Sequence, residues 1–245
     1  NPAVLDRLSA PATRRDVKSE VLFGFPYQMA HVDTLCEQIA LLITHSNPKR
    51  GIITDLDNTF WKGIVGEVGA NSVSWDMDGQ GQIHGLYQQL LSSLASAGVL
   101  IAVASKNDSD VVKEAFQRED LLLKAEQIFP MEVHWNAKSE SVGRILKAWN
   151  IGADSVVFLD DSPMELDEVK TKYPAIECLA FPTNDYSAAY ALLIQLRDLF
   201  GKSILSAEDS LRLQSIRQAQ ELSALTESGS DLSAFLKEAN AELQI

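Results

Sequence analysis

Asp55-Leu56-Asp57-Asn58-Thr59 places two carboxylates one residue apart, directly after the apolar run Gly51–Thr54. A turn at the end of a strand can aim both carboxylates at one point, where a hard divalent cation makes their proximity favourable. One of them is then placed to attack phosphorus. The other is placed to protonate the leaving oxygen and later to activate water. A bare Asp-x-Asp triplet is common in an acidic chain. Its position behind an apolar strand, with Thr59 following, gives this one weight.

Three further features suit the same chemistry. Ser105 follows the apolar run Val99–Ala104, and a hydroxyl beside backbone donors can hold a phosphoryl oxygen. A lone serine there is more often a turn former. Lys106 and Asn107 come next and face either a substrate or solvent. Lys138, near Trp135, opens a helical pattern. A fixed ammonium neutralises phosphoryl oxygens and a carboxylate nucleophile, although most lysines are solvated surface charges. A cation at a helix N-terminus opposes the helix dipole and needs another reason to be there. Asp160-Asp161 closes the apolar run Ser155–Leu159. Adjacent like charges at the end of a buried strand are costly without a cation, and magnesium is the simplest one. The plain alternative is an acid capping the helix that Pro163 opens. In chain order the set reads carboxylate pair, hydroxyl, lysine, carboxylate pair, and the combination is far more specific than any member.

The elements that must position these groups follow from the hydrophobic pattern. Strands are expected at Gly51–Thr54, Val99–Ala104, Ile128–His134, Ser155–Leu159 and Ile176–Ala180. Helices are expected at Gln82–Ala97, from the caps Asp108 and Ser109 to Phe116, at Ala137–Trp149, after Pro163, and at Tyr186–Phe200. Apolar strands alternating with amphipathic helices imply an α/β fold: a Rossmann-like, doubly wound parallel sheet with both faces covered. Ligands bind beyond the carboxyl ends of such strands, which is where Asp55, Ser105 and Asp160 fall. Trp61–Gly85 holds six glycines, is too irregular for a helix, and reads as a small flap over the site. Three parts are expected: a helical flank over residues 1–50, a catalytic core over 51–200 and a helical extension over 201–245. The flank holds a helix at His31–His45. The extension holds one at Ser206–Leu222 and a last short one after Gly229.

Composition narrows the function classes. The 245 residues carry a net charge of −13, which argues against non-specific binding of nucleic acid or of an anionic membrane. A phosphorylated substrate is itself an anion, so a metal or local positive charge must offset that field. No apolar run is long enough to span a bilayer, and the first 30 residues show no signal-peptide pattern. The two cysteines, Cys36 and Cys178, are too few for a disulfide framework or a four-ligand zinc site. A cytoplasmic setting is the expectation. The chain begins at Asn1 rather than Met, which leaves open that it is excised from something longer.

With those residues in view, the sequence resembles the haloacid dehalogenase-like (HAD) superfamily. TDLDNTFW is similar to its first motif, AVASKND to its second, Lys138 to its third and VVFLDDSP to its fourth. The longer strings DLDNTFWKGIVGE, VASKND, HWNAKSES and FLDDSPMEL resemble the FkbH-like glyceryl transferase/phosphatase domains of polyketide assembly lines. The resemblance covers roughly residues 50 to 200 and implies Mg²⁺. It implies that Asp55 is nucleophile and metal ligand, and that Asp57 is general acid/base and a ligand through its carbonyl. It implies that Ser105 and Lys138 hold the phosphoryl group, and that Asp161, supported by Asp160, completes the metal site. Thr59, Lys62, Lys106 and Asn107 are the candidate substrate contacts. The subgroup is associated with 1,3-bisphosphoglycerate, whose glyceryl unit is dephosphorylated and passed to the phosphopantetheine thiol of an acyl carrier protein.

The sequence departs from the subgroup at Ala104, where a cysteine often precedes the second-motif serine as candidate acyl carrier. Three routes stay open: direct transfer to the carrier thiol, a different carrying residue, or phosphatase chemistry alone. Lys62 stands where a smaller residue is expected, either contacting a second phosphate or lying on the flap. A carrier protein is usually acidic, so docking calls for a basic patch. Lys170 with Lys172, Arg144 with Lys147, or Arg14 with Arg15 and Lys18 are the candidates. The competing readings are a small-molecule phosphatase without acyl transfer and a non-catalytic interaction domain.

Overall fold

The parallel sheet grows from β-branched and small apolar residues, which pack well on a pleated surface buried on both sides. In the computed structural model, which describes residues 2–43, 49–200 and 213–219, the chain divides into two units, 1–47 and 48–245. The first unit is helical: α1 (Pro2–Leu8), α2 (Val17–Phe23) and α3 (Met29–Ile43), with a 3-10 turn at Pro11–Thr13. Asp16 caps α2 by accepting from the Ser19 amide, and Gly24 ends it at φ 69°, the left-handed region that glycine enters freely. The helix expected at His31–His45 therefore starts two residues earlier, and His45 lies outside the described residues.

The second unit runs β1 (Gly51–Thr54), α4 (Val65–Val68), α5 (Gln82–Ser96), β2 (Leu100–Ser105), α6 (Ser109–Phe116), β3 (Ile128–Val133), α7 (Lys138–Trp149), β4 (Val156–Asp160), α8 (Pro163–Lys172), β5 (Glu177–Ala180) and α9 (Tyr186–Leu199). Residues 213–219 are helical within the expected Ser206–Leu222, and the segment after Gly229 lies outside the described residues. The five strands form one parallel sheet in the order β3-β2-β1-β4-β5, the doubly wound α/β fold that the pattern predicts. Period two sends Ile52, Ile101, Val103 and Val157 into one apolar layer with Tyr87, Leu91 and Leu196. It sends Ile53, Ala102, Ala104 and Phe158 into the opposite layer with Val142, Ile145 and Trp149. Gly51 is required where β1 passes under α7, because a Cβ there would collide with the Trp149 ring.

Three carboxyl strand ends differ from the sequence reading by one residue, and β3 stops at Val133 rather than His134. β2 includes Ser105 and β4 includes Asp160, so each polar group is the last residue of its strand rather than the first beyond it. The 61–85 segment is also more ordered than its glycines suggest. It contains the one-turn helix α4, and Lys62 bridges Ser74 in antiparallel fashion. Arg118 latches this flap by donating from Nη1 to the carbonyls of Ala70 (3.1 Å) and Val73 (2.6 Å), with its guanidinium 4.0 Å from the Trp75 ring centre. Among the described residues no helix is long and apolar enough to cross a membrane.

Candidate active site

The sheet order brings three strand ends together. Thr54 is in register with Val103 on one side and Leu159 on the other, so Asp55 emerges between the ends of β2 and β4. This is the topological switch point, where β1 sends its crossover one way and β4 lies on the other side, and a crevice opens there. The Asp55 amide donates to the Leu159 carbonyl at 2.9 Å. The Asp55 carbonyl accepts from the Thr54 hydroxyl (2.8 Å), which accepts in turn from the Tyr87 hydroxyl (3.0 Å). Burial pushes the Tyr87 phenol up, so it stays a donor.

A cavity of about 230 Å³ occupies this crevice. Asp55, Asp57, Ser105, Lys106, Asn107, Lys138, Asp160 and Asp161 all line it. Lys138, from the first position of α7, reaches down to place Nζ 2.9 Å from Asp55 Oδ1 and 2.5 Å from Asp160 Oδ2. All three residues are buried. Burial draws the Lys138 pKa down, but the charges of Asp55 and Asp160 outweigh it and hold the ammonium charged. Burial raises Asp55 above the ordinary carboxylate range against the pull of Lys138. Burial and the Asp55 charge lift Asp160 to about 7, and the same causes raise Asp161.

The four carboxylates have different work. Asp160 has both oxygens engaged, Oδ2 with Lys138 and Oδ1 with the Ser162 amide at 2.9 Å. Asp161 is half-buried beside it. Asp57 is held by the flap and by β2's end. Its Oδ1 accepts from Trp61 Nε1 (2.9 Å) and the Val65 amide (3.0 Å), and its Oδ2 accepts from Asn107 Nδ2 (2.9 Å). Asn107 also reaches Ser105 Oγ at 3.1 Å, and the Ser105 hydroxyl lies against the Asp55 carboxyl. Asn107 thus links the acid/base candidate to the serine.

The residues suit a hard divalent cation. Asp55, Asp160 and Asp161 each offer a carboxylate oxygen, all within 4.8 Å of one another. Three negative charges against the one Lys138 ammonium leave an excess that a divalent ion would balance. The Asp57 carboxylate stands apart from that cluster, three of its four lone pairs taken by the donors above. Asp160 gives one lone pair of each oxygen to Lys138 and the Ser162 amide and keeps one on each, so all three carboxylates retain lone pairs to give.

Two expected substrate contacts fall elsewhere. Thr59 is fully buried below the loop, its carbonyl 2.9 Å from His84 Nδ1 and its hydroxyl without a partner among the described residues. Lys62 lies on the flap with Nζ 3.4 Å from Gln80 Oε1. Neither lines the cavity. The sequence reading did not single out Glu165, which is buried in the first turn of α8, lines the cavity and pairs with Lys106 at 2.8 Å. One more acid after DDSP carried no signal of its own, and only the helix geometry turns it inward. A larger hollow of about 630 Å³ lies in the first unit, lined by residues such as Ser9, Arg15 and His31, with no carboxylate.

No family model matches the chain, and no curated protein does. Among solved structures, the N-terminal part of a Bacteroides fragilis protein, containing a phosphatase domain and complexed with Mg, is similar at 27% identity with a TM-score of 0.67. The match covers 83% of this chain and 55% of that one, so the chain spans about half the length of this neighbour. An uncharacterized protein from Corynebacterium glutamicum is more remote, at 15% identity and a TM-score of 0.42 over 63% of this chain and 98% of that one. A HAD-superfamily hydrolase from Ehrlichia chaffeensis is equally remote, at 12% identity and a TM-score of 0.44 over 64% and 100%. The five-stranded parallel sheet with an acidic cluster at its carboxyl edge is a Rossmann-like α/β fold, and the Bacteroides fragilis structure is similar to it over most of this chain.

Proposed function

We propose that the chain is a magnesium-dependent phosphoryl-transfer enzyme. More narrowly, we read it as a glyceryl transferase/phosphatase that takes 1,3-bisphosphoglycerate, removes phosphate and loads the glyceryl unit on an acyl carrier protein in polyketide biosynthesis. The observation that carries the phosphoryl-transfer reading is the buried contact of Lys138 with Asp55 and Asp160 in a cavity shared with Asp57, Ser105 and Asp161. The Mg-complexed phosphatase-domain neighbour supports it. The narrower reading rests on the motif strings DLDNTFWKGIVGE, VASKND, HWNAKSES and FLDDSPMEL.

In this reading an Asp55 oxygen bonds to phosphorus as the bond to the leaving oxygen breaks, and that oxygen takes a proton from Asp57. Water then attacks phosphorus, its proton passes to Asp57, and Asp55 and inorganic phosphate are released. Lys138 and the Ser105 hydroxyl hold the phosphoryl oxygens. Mg²⁺, held by Asp55 and Asp161 with the Asp57 carbonyl, would neutralise charge on the phosphoryl group. For acyl loading, the carrier thiol displaces phosphate from the acyl phosphate. The carbon–sulfur bond forms, the carbon–oxygen bond to phosphate breaks, and the thiol proton goes to solvent.

The phosphatase without acyl transfer is the second reading, and position 104 favours it. Ala104 is fully buried in the layer with Val142 and Ile145 and does not line the cavity. Several basic residues considered for carrier docking are also held by their own chain. Arg14 pairs with Asp6, Arg15 with Glu20, Arg144 with Glu132, and Lys170 donates to the carbonyls of Pro174 and Ile176.

Intact-protein mass spectrometry separates the readings. The chain is mixed with Mg²⁺, a regenerating source of 1,3-bisphosphoglycerate and a phosphopantetheinylated carrier protein, with Asp55→Asn as control. A glyceryl increment on the carrier, absent from the control, is the expected result. Phosphate release without any increment would leave the phosphatase. Neither product would overturn both.

A further inference from the structure

The hydrogen bonds on Asp57 are unequal. A carboxylate oxygen carries two lone pairs in its plane. Oδ1 has both taken, by Trp61 Nε1 at 2.9 Å and by the Val65 amide at 3.0 Å. Oδ2 has one taken, by Asn107 Nδ2 at 2.9 Å. One lone pair therefore remains, and it belongs to Oδ2.

Both Oδ1 donors come from the flap. The Trp61 ring is fully buried, 5.6 Å from Phe60 and 5.7 Å from Phe116 between ring centres, so the indole N–H has little freedom to turn away. The loop between donor and acceptor is closed on itself. The Asn58 side chain accepts from the Gly63 amide at 3.1 Å, and Asn58 occupies the left-handed region at φ 53°. Arg118 anchors the far side of the flap through Ala70 and Val73. The segment that the sequence presents as a glycine-rich cover is thus built as a clamp on one carboxylate oxygen.

We infer that Trp61 is a positioning residue whose indole N–H, with the Val65 amide, saturates Oδ1 of Asp57 and confines proton transfer to Oδ2. The inference rests on reading Asp57 as the acid/base. In the first step the Oδ2–H bond breaks and the proton goes to the leaving oxygen as its bond to phosphorus breaks. With Oδ1 saturated, the proton has no second resting place on the same carboxyl. Without the indole N–H, Oδ1 regains a lone pair, and the proton can be held on the oxygen turned toward the flap.

The test uses leaving-group dependence, because an alkyl oxygen needs the proton on departure and p-nitrophenolate does not. Trp61→Phe, and an isostere carrying benzothienylalanine at position 61 to keep the ring volume and remove the N–H, are compared with the wild type. The substrates are 3-phosphoglycerate and p-nitrophenyl phosphate. The readout is kcat/KM, which reports the steps through departure of the leaving group. The loss for the alkyl ester should exceed the loss for the aryl ester by about tenfold, the effect of losing one hydrogen bond to a charged group. Equal losses on both esters in the isostere would overturn the inference, since a structural role slows both alike. Asp57→Asn distinguishes the two levels. If its loss depends on the leaving group while the isostere's does not, only the role of Trp61 fails. If its loss is the same for both esters, the acid/base reading of Asp57 fails and takes the inference with it.

Discussion

Lys138 Nζ lies 2.9 Å from Oδ1 of Asp55, and both side chains are shut away from solvent. The same ammonium serves Asp160 at 2.5 Å. Burying two carboxylates is tolerable here because the cation between them is held by both and is itself desolvated. Lys138→Met keeps much of the side-chain length and removes that cation. It should destabilise the metal-free protein by about 3–5 kcal/mol, the usual cost of orphaning a buried charge. Mg²⁺ should then recover more stability in the variant than in the wild type. Urea unfolding with and without Mg²⁺ measures both. A variant as stable as the wild type would mean that the carboxylates do not depend on this ammonium.

Asp55→Asn keeps the shape of the proposed nucleophile and removes its charge. Phosphate release should fall by roughly 10³-fold or more, as expected when an attacking group is lost. Because Asn relieves the buried charge that Lys138 must balance, the fold should survive. Near-normal turnover in a folded variant would sink the assignment of Asp55 as nucleophile.

Asp160 and Asp161 are neighbours with separable roles. Asp160 spends its oxygens on Lys138 and the Ser162 amide, whereas Asp161 is the half-buried member of the acidic cluster. Asp161→Asn should weaken the apparent Mg²⁺ affinity of phosphate release by at least about tenfold. Asp160→Asn should chiefly lower stability. Isothermal Mg²⁺ titration and thermal unfolding on both variants give the comparison, and an unchanged titration for Asp161→Asn would remove it as a ligand.

The strands and the site's outline were legible because their signals are local. GIIT, VLIAVA and SVVFL are short apolar runs, each followed by a polar group, and a parallel sheet puts such ends on one edge. What pairs across that edge was not legible, since it depends on strand order and helix phase. Glu165 is one acid among many until α8 turns it toward Lys106. Thr59 reads as a substrate contact by its place in the motif. Backbone packing sinks it below the loop instead, with its carbonyl turned to His84. The donors to Asp57 from Trp61 and Val65 exist only because the flap folds back, which six glycines in 25 residues gave no means to foresee.

Ala104 offers a test of the acyl route. Its neighbours on β2 alternate, so Ser105 faces the cavity while Ala104 packs among Val142, Ile145 and Phe158. Ala104→Cys should therefore not raise glyceryl loading of a carrier, and its thiol should resist alkylation in the folded protein. Mass spectrometry after iodoacetamide and after the loading reaction reads both. Increased loading with an acyl group on the new cysteine would show that the strand end can expose position 104.

His84 gives the fold a pH dependence of its own. Its ring is buried, stacks on Phe181 with centres 5.2 Å apart, and places Nδ1 2.9 Å from the Thr59 carbonyl. Nδ1–H is the donor to that carbonyl, so the neutral ring already meets its partner. Burial, with the nearby Lys62 charge, lowers the His84 pKa below the ordinary 6.5, against the pull of the Thr59 carbonyl. The unfolded chain therefore takes up a proton at this residue before the folded one does. Its contribution is fully present above about pH 6.5 and is lost as pH falls from there toward the depressed folded value. The slope from this one group cannot exceed about 1.4 kcal/mol per pH unit. His84→Gln removes the titration. Urea midpoints measured between pH 7.5 and pH 5.5, a range chosen to bracket the ordinary histidine pKa, should fall more steeply in the wild type than in the variant. Parallel slopes would mean that His84 takes up its proton in the folded state as readily as in the unfolded one, and that the ring is free to leave Thr59.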